Sequence, residues 1–264
     1  TFRLTGPGIT PVAGTVSYDA AAERARFSPT SALALNTLYT ATVTTGAKDV
    51  AGNALANNYV WTFTTAASST SQLAVPLGST SSFAVLGGST VTSTGATALT
   101  GDMGVSPGTA ITGFPPGTLT GATHAGNATS ATAMTDLTTA YNNAAGRTVG
   151  AVTIAGNIGG LTLPPGLYKS TSSLAISSGD LTLDAQGDPN AVFIFQMVST
   201  LTTTSGRAVI LAGGAKSANI FWQVGTSATL GTSSVFKGTM LANQSISLTR
   251  SEEHTSELQS LSSI

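Results

Sequence analysis

Small hydroxyl residues set on either side of single apolar residues are the most regular chemical feature of this chain. Thr200-Leu201-Thr202-Thr203-Thr204, Ala228-Thr229-Leu230-Gly231-Thr232 and Ser245-Ile246-Ser247-Leu248 share the pattern. Extended backbone sends alternate side chains to opposite faces, so the apolar residue turns inward and its neighbours outward. Stacked strands lie about 4.7 Å apart, and alternate residues about 6.7 Å apart along a strand, which makes a rigid grid of hydroxyls and methyls. Such a grid carries no acid, base, nucleophile or metal ligand. Its chemistry is recognition of something flat and repetitive through many weak contacts acting together. Long charged side chains would spoil it through strong hydration and rotamer entropy.

Catalytic alternatives are thinly supplied. Cysteine is absent, which removes thiolate catalysis, thiolate metal sites and disulfides. His124 is the single histidine outside the last fifteen residues; alone it makes neither a metal site nor a triad, and it is expected in a polar loop just before a helix. Asp102 sits in a Gly-Asp-Met-Gly turn, and Asp184 and Asp188 flank Gln186-Gly187 before Pro189. A calcium loop or a sugar-cleaving carboxylate pair is conceivable there, but aspartate beside Gly or Pro serves first as a turn cap. Gly87-Gly88 and Gly213-Gly214 fit corners rather than phosphate loops. Trp222, Phe193 and Phe195 lie in strands apolar at both alternating positions, which favours core packing over sugar stacking. Lys169 and Lys237 are solitary and read as solvated. The expectation is therefore no catalytic residues, no cofactor and no metal.

Charge is scarce. Only 8% of residues are Asp, Glu, Lys or Arg, against roughly a quarter in ordinary domains, and the net charge is -1. That leaves no electrostatic footprint for nucleic acid, and no apolar run reaches the length of a membrane span. Hydrophobic residues make up 41% of the chain, ample for a core.

The elements that must position the grid repeat in order. From Phe83 onward, a strand apolar on both sides is followed by a Thr/Ser-rich strand: Phe83-Ala84-Val85-Leu86 with Thr90-Val91-Thr92, Leu167-Tyr168-Lys169 with Leu174-Ala175-Ile176-Ser177, Phe193-Ile194-Phe195-Gln196 with Leu201-Thr202-Thr203. Phe221-Trp222-Gln223-Val224, Ala228-Thr229-Leu230-Gly231 and Val235-Phe236-Lys237-Gly238 stand above Thr239-Met240-Leu241-Ala242 and Ser245-Ile246-Ser247-Leu248. This is a three-faced, right-handed β-solenoid with about 18 to 20 residues per turn and insertions in the earlier turns. The doubly apolar first face must be covered outside as well as in. The cover is a helix over 127–145, with Ala131, Met134, Leu137, Tyr141 and Ala144 at helical spacing, Asn127 as N-cap and Gly146 as stop. On the second face Val91, Ile176, Leu201, Leu230 and Ile246 point inward, so Thr90, Thr92, Ala175, Ser177, Thr200, Thr202, Thr229, Gly231, Ser245 and Ser247 point out as the candidate binding residues.

Residues 1–66 read as short antiparallel strands of a β-sandwich: Thr15-Val16-Ser17-Tyr18, Arg24-Ala25-Arg26-Phe27, Tyr39-Thr40-Ala41-Thr42-Val43 and Tyr59-Val60-Trp61-Thr62-Phe63. Their wording, with Lys48-Asp49-Val50-Ala51-Gly52-Asn53-Ala54-Leu55 and Trp61-Thr62-Phe63-Thr64-Thr65, resembles bacterial immunoglobulin-like domains, in the later strands only. The module is accordingly expected to be partial. Residues 67–76 are a small polar linker.

Residues 77–249 resemble the microbial ice-binding protein family, a discontinuous β-solenoid with one long helix alongside and, here, its last turn missing. The resemblance rests on Thr100-Gly101-Asp102-Met103-Gly104-Val105-Ser106-Pro107-Gly108, Gly113-Phe114-Pro115-Pro116-Gly117, Asp136-Leu137-Thr138-Thr139-Ala140-Tyr141-Asn142, Leu163-Pro164-Pro165-Gly166-Leu167-Tyr168 and the run from Leu181 to Gln196. It implies adsorption to an ice crystal surface and inhibition of recrystallisation, no enzymatic activity, and a secreted or cell-surface location. The alternative is a structural or adhesive surface module whose partner is a protein or glycan of the cell surface or extracellular matrix. Residues 250–264, Arg250-Ser251-Glu252-Glu253-His254-Thr255 onward, resemble the in-frame translation of a sequencing adapter and are set apart as a non-native tail.

Overall fold

The computed structural model describes residues 2–249 except 20–22, 32, 35–36, 50, 66–71 and 96, together with 261–262. The chain forms two compact units, Thr1–Ser69 and Thr70–Ile264.

In the first unit, Leu38–Val43 pairs antiparallel with both Phe2–Thr5 and Tyr59–Thr64, and Gly14–Asp19 forms a hairpin with Arg24–Pro29. All four expected strands are present, and Phe2–Thr5 is a fifth. A small core gathers Leu4, Tyr39 and Ala41. The turn at 48–54 is closed by Asp49, whose carboxylate accepts the Asn53 amide (2.8 Å) and side-chain Nδ2 (2.9 Å). Tyr59–Thr64 is exposed along its whole length.

The second unit is a solenoid of parallel strands in two sections separated by the helix Ala128–Ala145. The first face of the second section stacks Ala151–Thr153, Gly166–Ser170, Phe193–Met197, Ile220–Val224 and Thr239–Ala242. Behind it, Gly156–Asn157, Leu174–Ile176, Leu201–Thr203, Ala228–Leu230 and Ile246–Leu248 form the second face, and Thr162–Leu163, Leu181–Asp184 and Val209–Ala212 the third. The first section repeats the order with Phe83–Gly87, Thr90–Thr92 and Ala98–Thr100, then Asp102–Val105, Ala110–Thr112 and Thr118–Thr120. Strand Leu261–Ser262 pairs with Phe83–Gly87; the rest of the segment read as an adapter-derived tail lies outside the described residues. Turn length is less uniform than 18 to 20. Hydroxyls one turn apart are 20 residues apart at Thr92 and Thr112, 27 at Ser173 and Thr200, and 18 at Ser227 and Ser245. The long turns spend their extra residues on corners such as 185–192, closed by Asx-type bonds at Asp184 and Asp188, and 213–219, which opens on Gly213 and Gly214 at positive φ.

The doubly apolar strands separate two cores. One parity of the first face, Tyr168, Phe195, Trp222 and Met240, faces into the solenoid in register. The other, Leu167, Ile194, Phe221 and Leu241, packs outward against Ala133, Leu137, Ala140 and Ala144 of the helix. Three alanines on the contact stripe let the helix approach the sheet closely. The stripe is rotated from the expected one: Ala131 is exposed, and Ala133 and Ala140 are buried in full. Asn127 caps the helix through a reciprocal capping box with Ser130, which is itself buried. At the other end Gln196 Nε2 donates to the carbonyls of Ala144 (2.6 Å), Ala145 (3.2 Å) and Arg147 (2.8 Å), satisfying groups that a helix terminus leaves open. Gln223 Nε2 donates to Tyr141 Oη at 2.8 Å. Val75, at the carboxyl end of the segment read as linker, is buried in the helix-side core.

Asp136 ties the helix to the turn preceding Phe83. Its carboxylate accepts the Ser79 hydroxyl (2.6 Å) and amide (2.7 Å), which hold its pKa below the ordinary 3.8. A depressed carboxylate pKa adds stability above the unfolded value and loses it as pH falls through the folded one. Thermal melts of the native chain and Asp136→Asn should therefore differ at neutral pH and converge below pH 3.8; a gap that does not change across that range would refute the assignment.

Candidate functional site

The second face presents three outward rows, and the register of its strands sets them. The central row of the second section runs Asn157, Ala175, Thr202, Thr229, Ser247, each residue paired with the next. Leu174, Leu201, Ala228 and Ile246 point inward on one side of it, Ile176, Thr203 and Leu230 on the other. One outer row then follows as Ser173, Thr200, Ser227 and Ser245, and the other as Ser177, Thr204, Gly231 and Thr249. Thr202, Thr229 and Ser247 are exposed and Ala175 is half-buried. None of these residues is charged.

The expected outward set is thus correct in direction for nine of its ten members, but they do not form one ladder. Leu201 and Ile246 align with Leu174, not with Ile176, so Thr200 and Ser245 belong to one outer row and Ser177 to the other. Gly231 is a correction. It is buried, and a Cβ there would stand 2.5 Å from the Ser205 amide nitrogen and 2.6 Å from the Thr204 carbonyl carbon. The residue faces the backbone of the neighbouring turn rather than solvent, and its amide donates to Thr203 O at 2.9 Å.

In the first section Thr90 and Thr92 are exposed beside Ala110 and Thr112, which pair with them one turn on. Ala110 and Thr112 were not among the expected residues, although Ala-Ile-Thr repeats Thr-Val-Thr at twenty residues. Ser173 and Ser227 were also missed. A local rule finds them: Ser173 follows Ser170 by three residues, as Thr200 follows Met197, Ser227 follows Val224, Ser245 follows Ala242 and Thr90 follows Gly87. The third face offers the same exposed pattern in the first section, Ala98 and Thr100 beside Thr118 and Thr120. In the second section it does not. There it exposes Ile210 and Val235, and its corner carries an Asp180–Arg207 ion pair at 3.4 Å. Among the described residues, only the second face is uncharged in both sections.

The carboxylates are occupied with turns. Asp184 accepts the Gln186 amide and Asp188 the Asn190 amide, each at 2.8 Å, and Asp102 accepts the Ala122 amide at 2.9 Å. His124 lies in the strand Thr123–Ala125 rather than in a loop. Half-buried, it stands 3.6 Å from Asp102 and packs beside the Phe83 ring at 5.5 Å. Trp222, Phe193 and Phe195 are wholly buried. Among the described residues no group of acidic or histidine side chains could hold a metal ion.

The family profile described as Ice-binding-like matches residues 85–263, and one described as Bacterial Ig-like domain matches residues 1–65. An ice-binding protein of Nostoc sp. (strain HG1) is 45% identical over 173 residues, covering 66% of this chain and 64% of that protein. An ice-binding protein of Flavobacterium frigoris (strain PS1) is 38% identical over 192 residues, covering 66% and 67%. The chain therefore spans less than two thirds of the first of these relatives. The crystal structure of an ice binding protein from an Antarctic biological consortium superposes with a TM-score of 0.69 at 53% identity, covering 73% of this chain and 93% of that one.

Proposed function

We infer from one premise, that this chain belongs to the ice-binding-like family and carries a bacterial Ig-like domain before it, that it adsorbs to ice through the second face of its solenoid. The observation that carries the choice of face is the in-register, uncharged central row from Ala175 to Ser247, whose pattern Thr90, Thr92 and Thr112 repeat in the first section. Stacked parallel strands hold these groups on a fixed grid. Methyls beside the hydroxyls discourage competing hydration while the hydroxyls anchor an ordered water layer. Each contact is weak, and adsorption comes from many formed at once by a surface already ordered, with little side-chain entropy left to lose.

The family is one of binding, not catalytic, proteins, and the aspartates engaged in turns suit that reading. A secreted or cell-surface location is part of the proposal, because ice is met outside the cell and a hydroxyl-rich, charge-poor surface suits that setting. Ice-affinity partitioning of the chain tests it. The protein is expected to be enriched in a slowly grown ice fraction relative to a non-binding control protein. Equal exclusion of both from the ice would overturn the proposal.

A further inference from the structure

Resting on the ice-face reading above, we propose a division of labour among the three outward rows of residues 151–249: the central hydroxyls order water, and the outer rows are rails that hold the grid rigid. Each outer hydroxyl is engaged with a partner inside the protein. In one outer row Thr200 Oγ1 donates to Ser173 Oγ and Ser245 Oγ to Ser227 Oγ, both at 2.9 Å. In the other, Ser177 Oγ donates to Asn157 Oδ1 at 3.0 Å, Thr204 Oγ1 to the Ser177 carbonyl at 3.2 Å and Thr249 Oγ1 to the Leu230 carbonyl at 2.9 Å. These bonds join adjacent turns. They fix the spacing and twist of the rungs.

The hydroxyls of Thr202, Thr229 and Ser247 differ. None of them bonds a described residue, and Thr202 and Thr229 stand exposed on adjacent rungs. Both the donor and the acceptors of each remain available to water. Asn157 closes the central row at its end. Its Oδ1 takes the Ser177 amide (2.8 Å) as well as the Ser177 hydroxyl, and its Nδ2 donates to Ser178 Oγ (2.7 Å). It is therefore a positioning residue for the outer rail, although it shares the central row's register.

The test separates hydroxyl chemistry from shape by using near-isosteric valine. Thr202→Val with Thr229→Val is expected to leave the melting temperature unchanged and to raise the protein concentration needed to stop ice recrystallisation by about tenfold, as two lost water-directed hydrogen bonds imply. Ser173→Ala with Thr200→Val is expected to lower the melting temperature while moving the required concentration much less. The division is overturned if the central pair has no effect on recrystallisation, or if the rail pair costs as much as the central pair at equal foldedness. A bulky Thr202→Tyr, Thr229→Tyr variant run alongside tells the two readings apart. Its loss of activity keeps the face assignment in place whatever the valines do, whereas its full activity would overturn the face and the division together.

Discussion

A chain carrying Thr202→Tyr and Thr229→Tyr is expected to lose ice-recrystallisation inhibition completely while folding as before. The two positions are partners on adjacent rungs in the middle of the face, exposed, with no hydroxyl bond to any other described residue. Two phenol rings would stand above a surface built of small, uncharged residues, chiefly Ser, Thr and Ala. A rigid solid cannot bend to follow them, so contacts on both sides of the step would be lost together. The stability cost is expected to be small, within about 0.5 kcal/mol, because exposed strand positions accept tyrosine well. Circular dichroism melts and a splat-cooled recrystallisation assay on the same samples measure both halves. Retained inhibition with an intact fold would move the binding face elsewhere, and the third face of the first section, with Thr100, Thr118 and Thr120, would be the next to test.

The second large effect acts through the fold. Trp222→Ala is expected to destabilise the solenoid unit by about 3–5 kcal/mol, enough to consume a large share of the total stability of an ordinary domain. Trp222 is fully buried and stacks on Phe195 with ring centroids 4.0 Å apart and planes 10° apart, and it meets Phe236 at 5.0 Å on the other side. Its indole Nε1 donates to the Lys237 carbonyl at 3.0 Å, so truncation also strands an acceptor. Because each solenoid turn is stabilised chiefly by its neighbours, the defect spreads to the rungs carrying Thr202 and Thr229. Calorimetry should show a fall in melting temperature of about 10 °C or more for a unit of this size. Ice activity would then be lost in step with folding, the opposite of the tyrosine pair. Trp222→Phe should recover much of the loss; a melt unchanged by the alanine would contradict the stacked-core account.

Several of these features are legible in the residues because their causes are local. Phe193-Ile194-Phe195 and Ile220-Phe221-Trp222 are apolar at both parities, and such a strand has to be covered on both sides. The structure supplies the solenoid interior for one parity and the helix for the other. Asn127 announced the helix start, and it is the N-cap; the reciprocal bond from Ser130 was not anticipated. Row assignment was less accessible. A three-residue strand such as Leu174-Ala175-Ile176 has apolar residues on both sides of its outward one, so matching it by a single apolar residue leaves the register ambiguous by two. The position of the corner after each first-face strand settles it. Helix rotation was missed for a related reason: in an alanine-rich segment the apolar pattern barely distinguishes Ala131 from Ala133, and packing against the sheet decides.

The sequence by itself determined that this chain would coil parallel strands into a solenoid, cover its most apolar face with a helix, and turn small hydroxyl residues outward on the next face. Alternation of side chains is a property of extended backbone and needs no distant partner. Which of those hydroxyls remain open to water was decided only by the tertiary structure. Thr200 and Thr202 are the same residue type two positions apart in one strand region. Yet the partner that occupies Thr200 lies 27 residues away on the adjacent turn, while the Thr202 hydroxyl meets none among the described residues. The same holds for Gly231, whose alternation places it outward until the Thr204–Ser205 backbone of the neighbouring turn closes over it. The separation between turns varies from 16 residues, at Ala151 and Leu167, to 28, at Leu181 and Val209, with the length of the corners, so a hydroxyl's partner is fixed by how the turns stack and not by its neighbours in the chain.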